Sequence, residues 1–266
     1  MAVRSALMNV MFKAAEKAAR GLVRDFGEIE NLQVSRKGQA DFVSNADYNS
    51  QKIIHKELSL ARPGFGFLME EDDGSEDTSS KPERWIVDPL DGTINFLHGL
   101  PHWNISIAAE RNGEVIAGLV YAPISNEAFW AEKGCGAYSN NTRLRVSSRK
   151  DFSECLISCG IPYKGMLQRK PNFSKQLDAV MPLVSGIRRF GAAALDLAYL
   201  AAGRYDGFWE ERLDPWDIAA GILIVREAGG LVSSIEPDKN PIYSGGMVAS
   251  NYEIHNQLLN LIREAV

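Results

Sequence analysis

Residues 85–96 read Trp-Ile-Val-Asp-Pro-Leu-Asp-Gly-Thr-Ile-Asn-Phe, and this stretch determines how the whole chain is interpreted. Its apolar start has the pattern of a short buried strand, which we expect to begin at Arg84. Pro89 has no backbone N–H and predicts that the strand ends at Asp88. The stretch therefore predicts a buried strand that runs directly into a turn carrying the carboxylates of Asp88 and Asp91.

The turn after this strand brings together oxygen atoms that suit a hard metal ion. Asp88 and Asp91 lie three residues apart, and Gly92 permits a tight backbone path immediately before Thr93. Such a turn can direct both carboxylates and the carbonyl of Leu90 towards one point, which favours Mg²⁺. An Asp-Gly pair also serves ordinary turn chemistry, so the motif needs support from elsewhere in the chain.

Two further acidic segments lie at the ends of predicted elements. Upstream, the apolar run 65–69 leads into Glu70, which we expect the scaffold to hold, whereas Glu71 to Asp73 have the composition of a solvated acidic loop. Downstream, Asp217 opens a strong helical pattern, where the helix dipole alone already favours a carboxylate. A shared metal site is one explanation that accounts for all three acidic segments.

Helical and strand patterns alternate along the chain, with no linker, repeat or low-complexity tract between its halves. This organisation predicts one domain over residues 1–266, built of alternating layers of sheet and helix in the α/β class. Residues 34–45 are predicted to form a loop or hairpin, and residues 72–81 a mobile surface loop. The predicted helices cover 6–22, 46–60, 192–202, 217–228 and 252–265, and the predicted strands 84–88, 105–110, 115–121, 127–131, 205–210, 231–235 and 247–250.

The chain has 266 residues and a formal net charge of −5, with a pI near 5.5. This mild acidity argues against broad binding to nucleic acid or to membrane surfaces, which need a basic footprint. An anionic substrate stays open, because bound divalent cations can reverse the local field. Three cysteines are too few for a disulfide framework, so we expect buried thiols at Cys155 and Cys159 and a reducing, cytoplasmic location. The sequence has no apolar run long enough to cross a bilayer.

Taken together, the motifs resemble those of the inositol monophosphatase family, the lithium-sensitive, Mg²⁺-dependent phosphatases. The stretch from Asp88 to Phe96 is similar to the family signature, while Glu70-Glu71 and residues 216–221 match its other two motifs. The resemblance covers nearly the whole chain, from 41–47 to 227–230, and is closest to bacterial inositol-1-monophosphatases. It implies a layered α-β-α-β-α sandwich, of the α+β type that these enzymes share with fructose-1,6-bisphosphatase.

The resemblance also implies two or three Mg²⁺ ions in each active site. Glu70, Asp88 and the Leu90 carbonyl would hold the first ion, and Asp88, Asp91 and Asp217 the second. Glu70 with water molecules would hold a third. Inhibition by Li⁺, through displacement of a weakly held Mg²⁺, is a further implication of the family.

The family's catalytic residues correspond to Asp47, Thr93 and Glu70 in this sequence. Asp47 and Thr93 match the pair that orients and deprotonates the attacking water, and no covalent phosphoenzyme is required. Asn95 and Phe96 are expected to stabilise the turn. The substrate contacts implied by the resemblance are Asp91, Gly92, Thr93, Gly191, Ala192, Ala193, Glu210 and Asp217.

The surroundings of the implied substrate site add three expectations. Position 192 is alanine where relatives often carry serine or threonine, so a side-chain contact is expected to be missing there. Glu211 and Asp214 make the substrate rim acidic, which favours polyol hydroxyls over a second phosphate. Arg188-Arg189 either attracts phosphate or forms a solvated or interface pair.

Four further sites in the sequence are expected to have structural roles. His98 and His102 flank a turn and resemble a metal pair, but carboxylates suit Mg²⁺ better, so we expect hydrogen-bonded structural histidines. Phe208 and Trp209 alternate on a predicted strand and are expected to belong to the core.

The function implied is Mg²⁺-dependent hydrolysis of a small phosphate monoester, myo-inositol monophosphate first, by direct attack of a metal-activated water. The same chemistry on fructose 1,6-bisphosphate, 3′-phosphoadenosine phosphate, histidinol phosphate or NADP is the alternative. A different class of function is a regulatory role through a protein partner in the transcription machinery. A homodimer is expected from the family, without membrane or direct nucleic-acid binding.

Overall fold

The computed structural model describes residues 3–28, 34–37, 41–71, 81–162 and 172–265, with the side chains of 34–37 and 41–44 left undescribed. Within these residues the helices are α1 (Ala6–Phe26), α2 (Asn45–Ala61), α3 (Thr93–Leu97), α4 (Asn172–Val180), α5 (Ala193–Ala201), α6 (Pro215–Glu227) and α7 (His255–Glu264). The strands are β1 (Val34–Lys37), β2 (Asp41–Ser44), β3 (Gly66–Met69), β4 (Glu83–Asp91), β5 (Asn104–Arg111), β6 (Glu114–Ala122), β7 (Glu127–Glu132), β8 (Gly136–Ser139), β9 (Thr142–Arg143), β10 (Leu156–Cys159), β11 (Gly186–Arg188), β12 (Gly207–Glu211), β13 (Leu231–Ser234) and β14 (Gly246–Ser250).

The strands form two large sheets and one hairpin. The first sheet has the order β3-β4-β5-β6-β7-β8-β9, in which β3 and β4 are parallel and the other pairs antiparallel. The second has the order β11-β10-β12-β14-β13, in which β10 runs parallel to both of its neighbours. Strands β1 and β2 pair antiparallel, as the hairpin prediction for this segment expects.

Helices lie between and outside the two sheets. Helices α1 and α2 pack together against one face of the first sheet, whereas α5 and α6 pack against strands of both sheets. Helix α7 contacts β14 and α4, which places this pair on the outer face of the second sheet. The order of layers is α-β-α-β-α, so the predicted fold class is confirmed.

Three apolar clusters of the described residues join the layers: one between α1–α2 and the first sheet, one around α5–α6 that contacts both sheets, and one on the outer face of the second sheet. Trp85, Trp103 and Trp130 belong to the cluster between the first sheet and α1–α2. On β12, Phe208 faces the central layer and Trp209 the outer cluster, because successive side chains of a strand point to opposite faces. Both side chains are fully buried, as predicted, and the same alternation returns Glu210 to the face of Phe208.

The prediction that the first buried strand ends before Pro89 is wrong, because β4 continues to Asp91. From Asp88 to Asp91 the chain advances three residues, while the partner strand advances two, from Ser106 to Asn104. The strand therefore contains a bulge, and a proline is tolerated at a bulge because no ladder hydrogen bond is needed from it.

Other element boundaries differ from the predictions by a few residues. The last helix begins at His255 rather than at residue 252, although Asn251 Oδ1 accepts hydrogen bonds from the backbone of Glu253 and Ile254, as a cap would. The predicted surface loop 72–81 lies outside the described residues except for Lys81. Among the described helices none combines the length and apolarity that a membrane crossing requires.

Candidate active site

The bulge at the end of β4 gives the Asp-Pro-Leu-Asp-Gly-Thr segment its shape. Asp88 Oδ1 accepts a hydrogen bond from the Leu90 backbone N–H at 2.9 Å, and Thr93 Oγ1 donates to the Leu90 carbonyl at 2.9 Å. Gly92 has a φ of +88°, which L side chains rarely adopt. A Cβ at this glycine would lie 3.0 Å from the carbonyl oxygen of His102, so both the backbone conformation and the close packing require glycine.

Asp88 lies in a pocket that it shares with four other acids. Its side chain is buried, and burial raises its pKa well above the usual range. The negative charges of Glu70, Asp91, Asp217 and Asp47 raise the pKa of Asp88 further. Charges raise a neighbour's pKa mainly at short range in a poorly solvated site, so this electrostatic coupling indicates that the five predicted residues lie near one another.

Asp91 is oriented by two hydrogen bonds to the same carboxylate oxygen. Asn104 Nδ2 donates to Asp91 Oδ2 at 2.7 Å, and the backbone N–H of Ala194 donates at 3.0 Å. Burial raises the pKa of Asp91 to about 6, and these hydrogen bonds oppose that rise. The start of α5, with Ala192 and Ala193, therefore lies directly beside the motif, where the sequence-based prediction placed it.

Asp217 caps the start of α6 and also interacts with the other acids of the cluster. It lies in the first turn of α6, and its Oδ2 accepts a hydrogen bond from the Asp214 backbone N–H at 2.7 Å. The expected helix-terminus role of Asp217 is therefore present. Burial and the charges of Glu70 and Asp91 also raise the pKa of Asp217, so its carboxylate faces the acidic pocket as well.

Glu71 was expected in a solvated loop, and that prediction is wrong. Its side chain is only 8% exposed, and its backbone N–H donates to Gln51 Oε1 at 3.1 Å, because the chain turns onto α2 directly after β3. Carboxylate oxygens of Asp47, Glu70 and Glu71 lie within 4.8 Å of one another. The signal that the sequence offered was the position of Glu71, next to Glu70 at the end of a buried strand.

Asp47 and Thr93 lie side by side, as their predicted pairing requires. Thr93 Oγ1 is 3.4 Å from Asp47 Oδ2. Asp47 is buried in the first turn of α2, and the Leu90 carbonyl gives the same hydroxyl a second acceptor. The hydroxyl has one proton, so it donates to one of these two oxygens at a time.

Glu210 reaches the acidic pocket from the second sheet. Burial and the charge of Asp91 raise the pKa of Glu210 to about 8, while the positive charge of Arg189 lowers it. Gly191 has a φ of +78°, and the Arg189 guanidinium lies against it, since a Cβ there would be 2.7 Å from Nη1. The surroundings of Glu210, which were predicted to form an acidic substrate rim, therefore also contain the positive charge of Arg189, whose role the sequence left open.

The neighbouring polar residues have the structural roles that were expected, with one difference. Asn95 Nδ2 donates to the carbonyls of His102 and Phe190 at 2.8 and 2.7 Å and so stabilises the turn. The His102 ring packs against Phe190 and Tyr199, and burial lowers its pKa to about 4. Among the described residues its Nε2 atom finds no hydrogen-bond partner, since Asp196 Oδ1 lies 4.0 Å away, and this differs from the hydrogen-bonded histidine expected.

The donor set of the pocket fits magnesium. The clustered side chains offer carboxylate oxygens, which Mg²⁺ prefers, whereas a zinc site usually contains His or Cys ligands. The raised pKa values of Asp88 and Asp217 indicate that neighbouring carboxylates repel each other. A divalent cation between such carboxylates stabilises their charged forms.

Comparison with known proteins places this geometry in a family. A family model described as the inositol monophosphatase family matches residues 3–266. The chain belongs to the inositol monophosphatase family. It is therefore an enzyme of a phosphatase family, and the relationship predicted from its motifs is confirmed.

Individual relatives of this inositol monophosphatase family member carry two kinds of name. An inositol-1-monophosphatase of Mesorhizobium japonicum is 53% identical over 98% of this chain and 97% of its own. A putative Nus factor SuhB of Neisseria meningitidis is 41% identical over 96% of this chain and 97% of its own. The crystal structure of the extragenic suppressor protein suhB from Bartonella henselae superposes with a TM-score of 0.92, at 52% identity, over 98% of this chain and 100% of that one.

Proposed function

We propose that this protein hydrolyses a small phosphate monoester, with myo-inositol monophosphate as its preferred substrate class, in a reaction that depends on Mg²⁺. The observation that carries the proposal is the cluster of Asp47, Glu70, Asp88, Asp91 and Asp217, whose carboxylates interact electrostatically and of which Asp47, Asp88 and Asp91 are buried. These acids come from α2, the end of β3, the end of β4 and the start of α6, so four separate elements contribute to the cluster.

Two or three ions are proposed for the site, with Glu70, Asp88, Asp91, Asp217 and the Leu90 carbonyl as ligands. The bound cation supplies charge neutralisation at the phosphoryl oxygens and a lower pKa for the attacking water. Asp91 is held for this task by Asn104 and Ala194, which fix one carboxylate oxygen.

Thr93 and Asp47 are proposed to take the proton from the attacking water. When the Thr93 hydroxyl donates to Asp47 Oδ2, its lone pairs are left to accept a hydrogen bond from the water. Proton transfer through a positioned side chain contributes on the order of a hundred- to ten-thousandfold in rate. The backbone N–H groups of Gly92 and Thr93 are proposed to contact the phosphate.

Replacing Thr93 by alanine should lower kcat by about a hundredfold or more, since the proton then lacks its route to Asp47. Thr93→Ser keeps the hydroxyl and is the matched control, with an expected loss of only a few-fold. Steady-state kinetics on inositol 1-phosphate distinguishes the two. Equal activity of T93A and T93S would remove Thr93 from the proton route.

Glu210 is proposed to hydrogen-bond a hydroxyl of the inositol ring. Above pH 8, where the Glu210 carboxylate is charged, Glu210→Gln should raise KM for inositol 1-phosphate by about tenfold, because hydrogen bonds to charged groups contribute about 1.5–3 kcal/mol. An aryl phosphate has no hydroxyl at that place, so its KM should stay nearly unchanged. An equal change in KM for the two substrates would exclude the contact.

The choice of substrate is tested by a panel of phosphate monoesters. Phosphate release should be fastest from inositol 1-phosphate and should disappear when Mg²⁺ is chelated. Fructose 1,6-bisphosphate, 3′-phosphoadenosine phosphate, histidinol phosphate and NADP represent the alternatives. Faster turnover of any of these would keep the chemistry and replace the substrate, whereas release that persists without divalent ions would contradict the proposal.

A second candidate function is association with the transcription machinery, in addition to catalysis. It is supported by relatives named Nus factor SuhB, such as the one 39% identical in Vibrio cholerae over 97% of this chain. Affinity capture with purified RNA polymerase tests it, and failure to retain the polymerase would argue against it.

Three further proposals come from the sequence: a homodimer, a single domain over residues 1–266 and a cytoplasmic location. Sedimentation tests the homodimer directly.

A further inference from the structure

Gly160 lies beside Glu210 across two parallel strands. Strands β10 and β12 pair in parallel, with Cys159 opposite Trp209. The Gly160 backbone N–H continues this ladder by donating to the Trp209 carbonyl at 3.1 Å. The next position on each strand is therefore Gly160 and Glu210.

The Glu210 side chain occupies the space that a side chain at position 160 would need. A Cβ built on Gly160 would lie 1.8 Å from Glu210 Cδ, 1.9 Å from its Oε1 and 2.3 Å from its Cγ. These separations are far below van der Waals contact, so the two groups exclude each other. The φ angle of Gly160 lies outside the left-handed region, so the backbone conformation there does not itself require glycine.

Glu210 in this position faces the acidic pocket. Asp91 acts on Glu210 electrostatically from the pocket side, and Arg189 acts on it with the opposite sign. Glu210 lies on the short β12, and on the side away from β10 it is opposite Met247 of β14. The absent side chain at Gly160 is thus what leaves room for the carboxylate on the β10 side.

We propose that Gly160 is a specificity-determining position: by lacking a side chain it places the Glu210 carboxylate where a substrate hydroxyl is bound. The inference rests on the proposed function, because it assigns the position of a group that this function uses. Any larger residue at 160 moves the carboxylate and lowers the preference for polyol phosphates over simple monoesters. Gly160 acts through Glu210 and is a positioning residue.

Gly160→Ala tests the proposal, because the clashing atoms belong to the flexible end of Glu210 and can move without unfolding the strand. The kcat/KM for inositol 1-phosphate should fall about tenfold or more, and that for p-nitrophenyl phosphate should change by less than about twofold. The double variant G160A/E210Q should be no worse on inositol 1-phosphate than E210Q alone. Gly21→Ala is the matched control, since a Cβ there meets nothing within 4 Å.

The outcomes separate this inference from the proposed function. If E210Q lowers the preference for inositol 1-phosphate and G160A does not, only the role of Gly160 is overturned. If E210Q itself has no effect on preference, the proposed hydroxyl contact fails and the inference fails with it. A crystal structure of G160A should show the Glu210 carboxylate displaced, and an unmoved carboxylate would overturn the inference.

A folding defect in G160A would leave the proposal testable through a further variant. In G160A/E210A the side chain that clashes is cut back to Cβ, so the double variant should recover the melting temperature of E210A. Failure to recover it would show that the constraint on position 160 is not Glu210.

Discussion

Asp88→Asn should abolish turnover and, in the same protein, raise the melting temperature measured without metal. The loss of activity should exceed about a thousandfold, because the carboxylate is proposed to hold two ions, and metal ions contribute several kcal/mol to stabilising the transition state. Asp217→Asn should give a similar loss. The fold should survive, since asparagine keeps the oxygen that accepts the Leu90 N–H.

The gain in stability follows from the repulsion inside the pocket. Burial and four neighbouring acids hold the pKa of Asp88 well above its usual range, so its charged form is costly in the metal-free protein. Asparagine has the same shape and no charge. The melting temperature of the metal-free protein should therefore rise.

The matched control is Asp238→Asn, the same chemical change at an exposed residue far from the pocket in sequence. Asp238 has a φ of +59°, a conformation that asparagine also tolerates, so neither activity nor stability should change. Thermal unfolding in the presence of a chelator, together with phosphate release, measures both effects. Substantial activity in D88N and D217N would refute the shared metal site, and a lower melting temperature for D88N would refute the repulsion.

The stability of the metal-free protein should depend strongly on pH. It should fall as the pH rises from about 6.5 to 8, and Mg²⁺ should restore it. Burial raises the pKa of Glu210 to about 8, and the pKa values of Asp88 and Asp217 are also raised. The unfolded chain titrates these acids near pH 4, so in this window the folded state binds more protons. Stability then falls with rising pH, until the folded-state groups have ionised.

Between pH 6.5 and 8 the other shifted groups do not reverse this fall in stability. Burial lowers the pKa of His102 to about 4 and that of His255 as well, so the histidines add stability only up to the unfolded value near pH 6.5. Burial raises the pKa of the Cys155 and Cys159 thiols, which act only above about pH 8.5.

Melting temperatures of the metal-free protein across this window measure the effect. Millimolar Mg²⁺ should raise the melting temperature more at pH 8 than at pH 6.5, because protons compete with the ion for the carboxylates. In D88N the effect of Mg²⁺ should be much weaker, whereas a smaller pH dependence should remain, because Glu210 and Asp217 still titrate there. A wild-type stability that rises through the window, or an equal effect of Mg²⁺ on D88N, would contradict the account.

The sequence contained the acidic motif but not the geometry around it. Local chemistry was sufficient for Asp88, Asp91 and the turn at Gly92, because these residues follow one another along the chain. The prediction that the strand ends before Pro89 was wrong. The sequence shows that Pro89 lacks a backbone N–H donor, but it does not show the bulge, in which that donor is not needed. A strand boundary at a bulge depends on the register of the partner strand, which no local pattern contains.

Residues that act across the fold were the hardest to find. Glu71 was assigned to solvent because the acidic run after it suggests a loop, whereas the turn onto α2 buries it. Asn104 orients Asp91 from the neighbouring strand, and Gly160 makes room for Glu210 from fifty residues earlier in the chain. Their roles come from strand pairing, so a single sequence gives no signal that separates them from ordinary core residues.

Diffraction from crystals grown with Mn²⁺ in place of Mg²⁺ tests the central claim most directly, because Mn²⁺ takes similar oxygen ligands and scatters anomalously. We expect two or three anomalous peaks between the carboxylates of Glu70, Asp88, Asp91 and Asp217, each at about 2.0–2.3 Å from its ligand oxygens. Peaks confined to other parts of the molecule, in crystals of a fully active enzyme, would contradict the shared metal site.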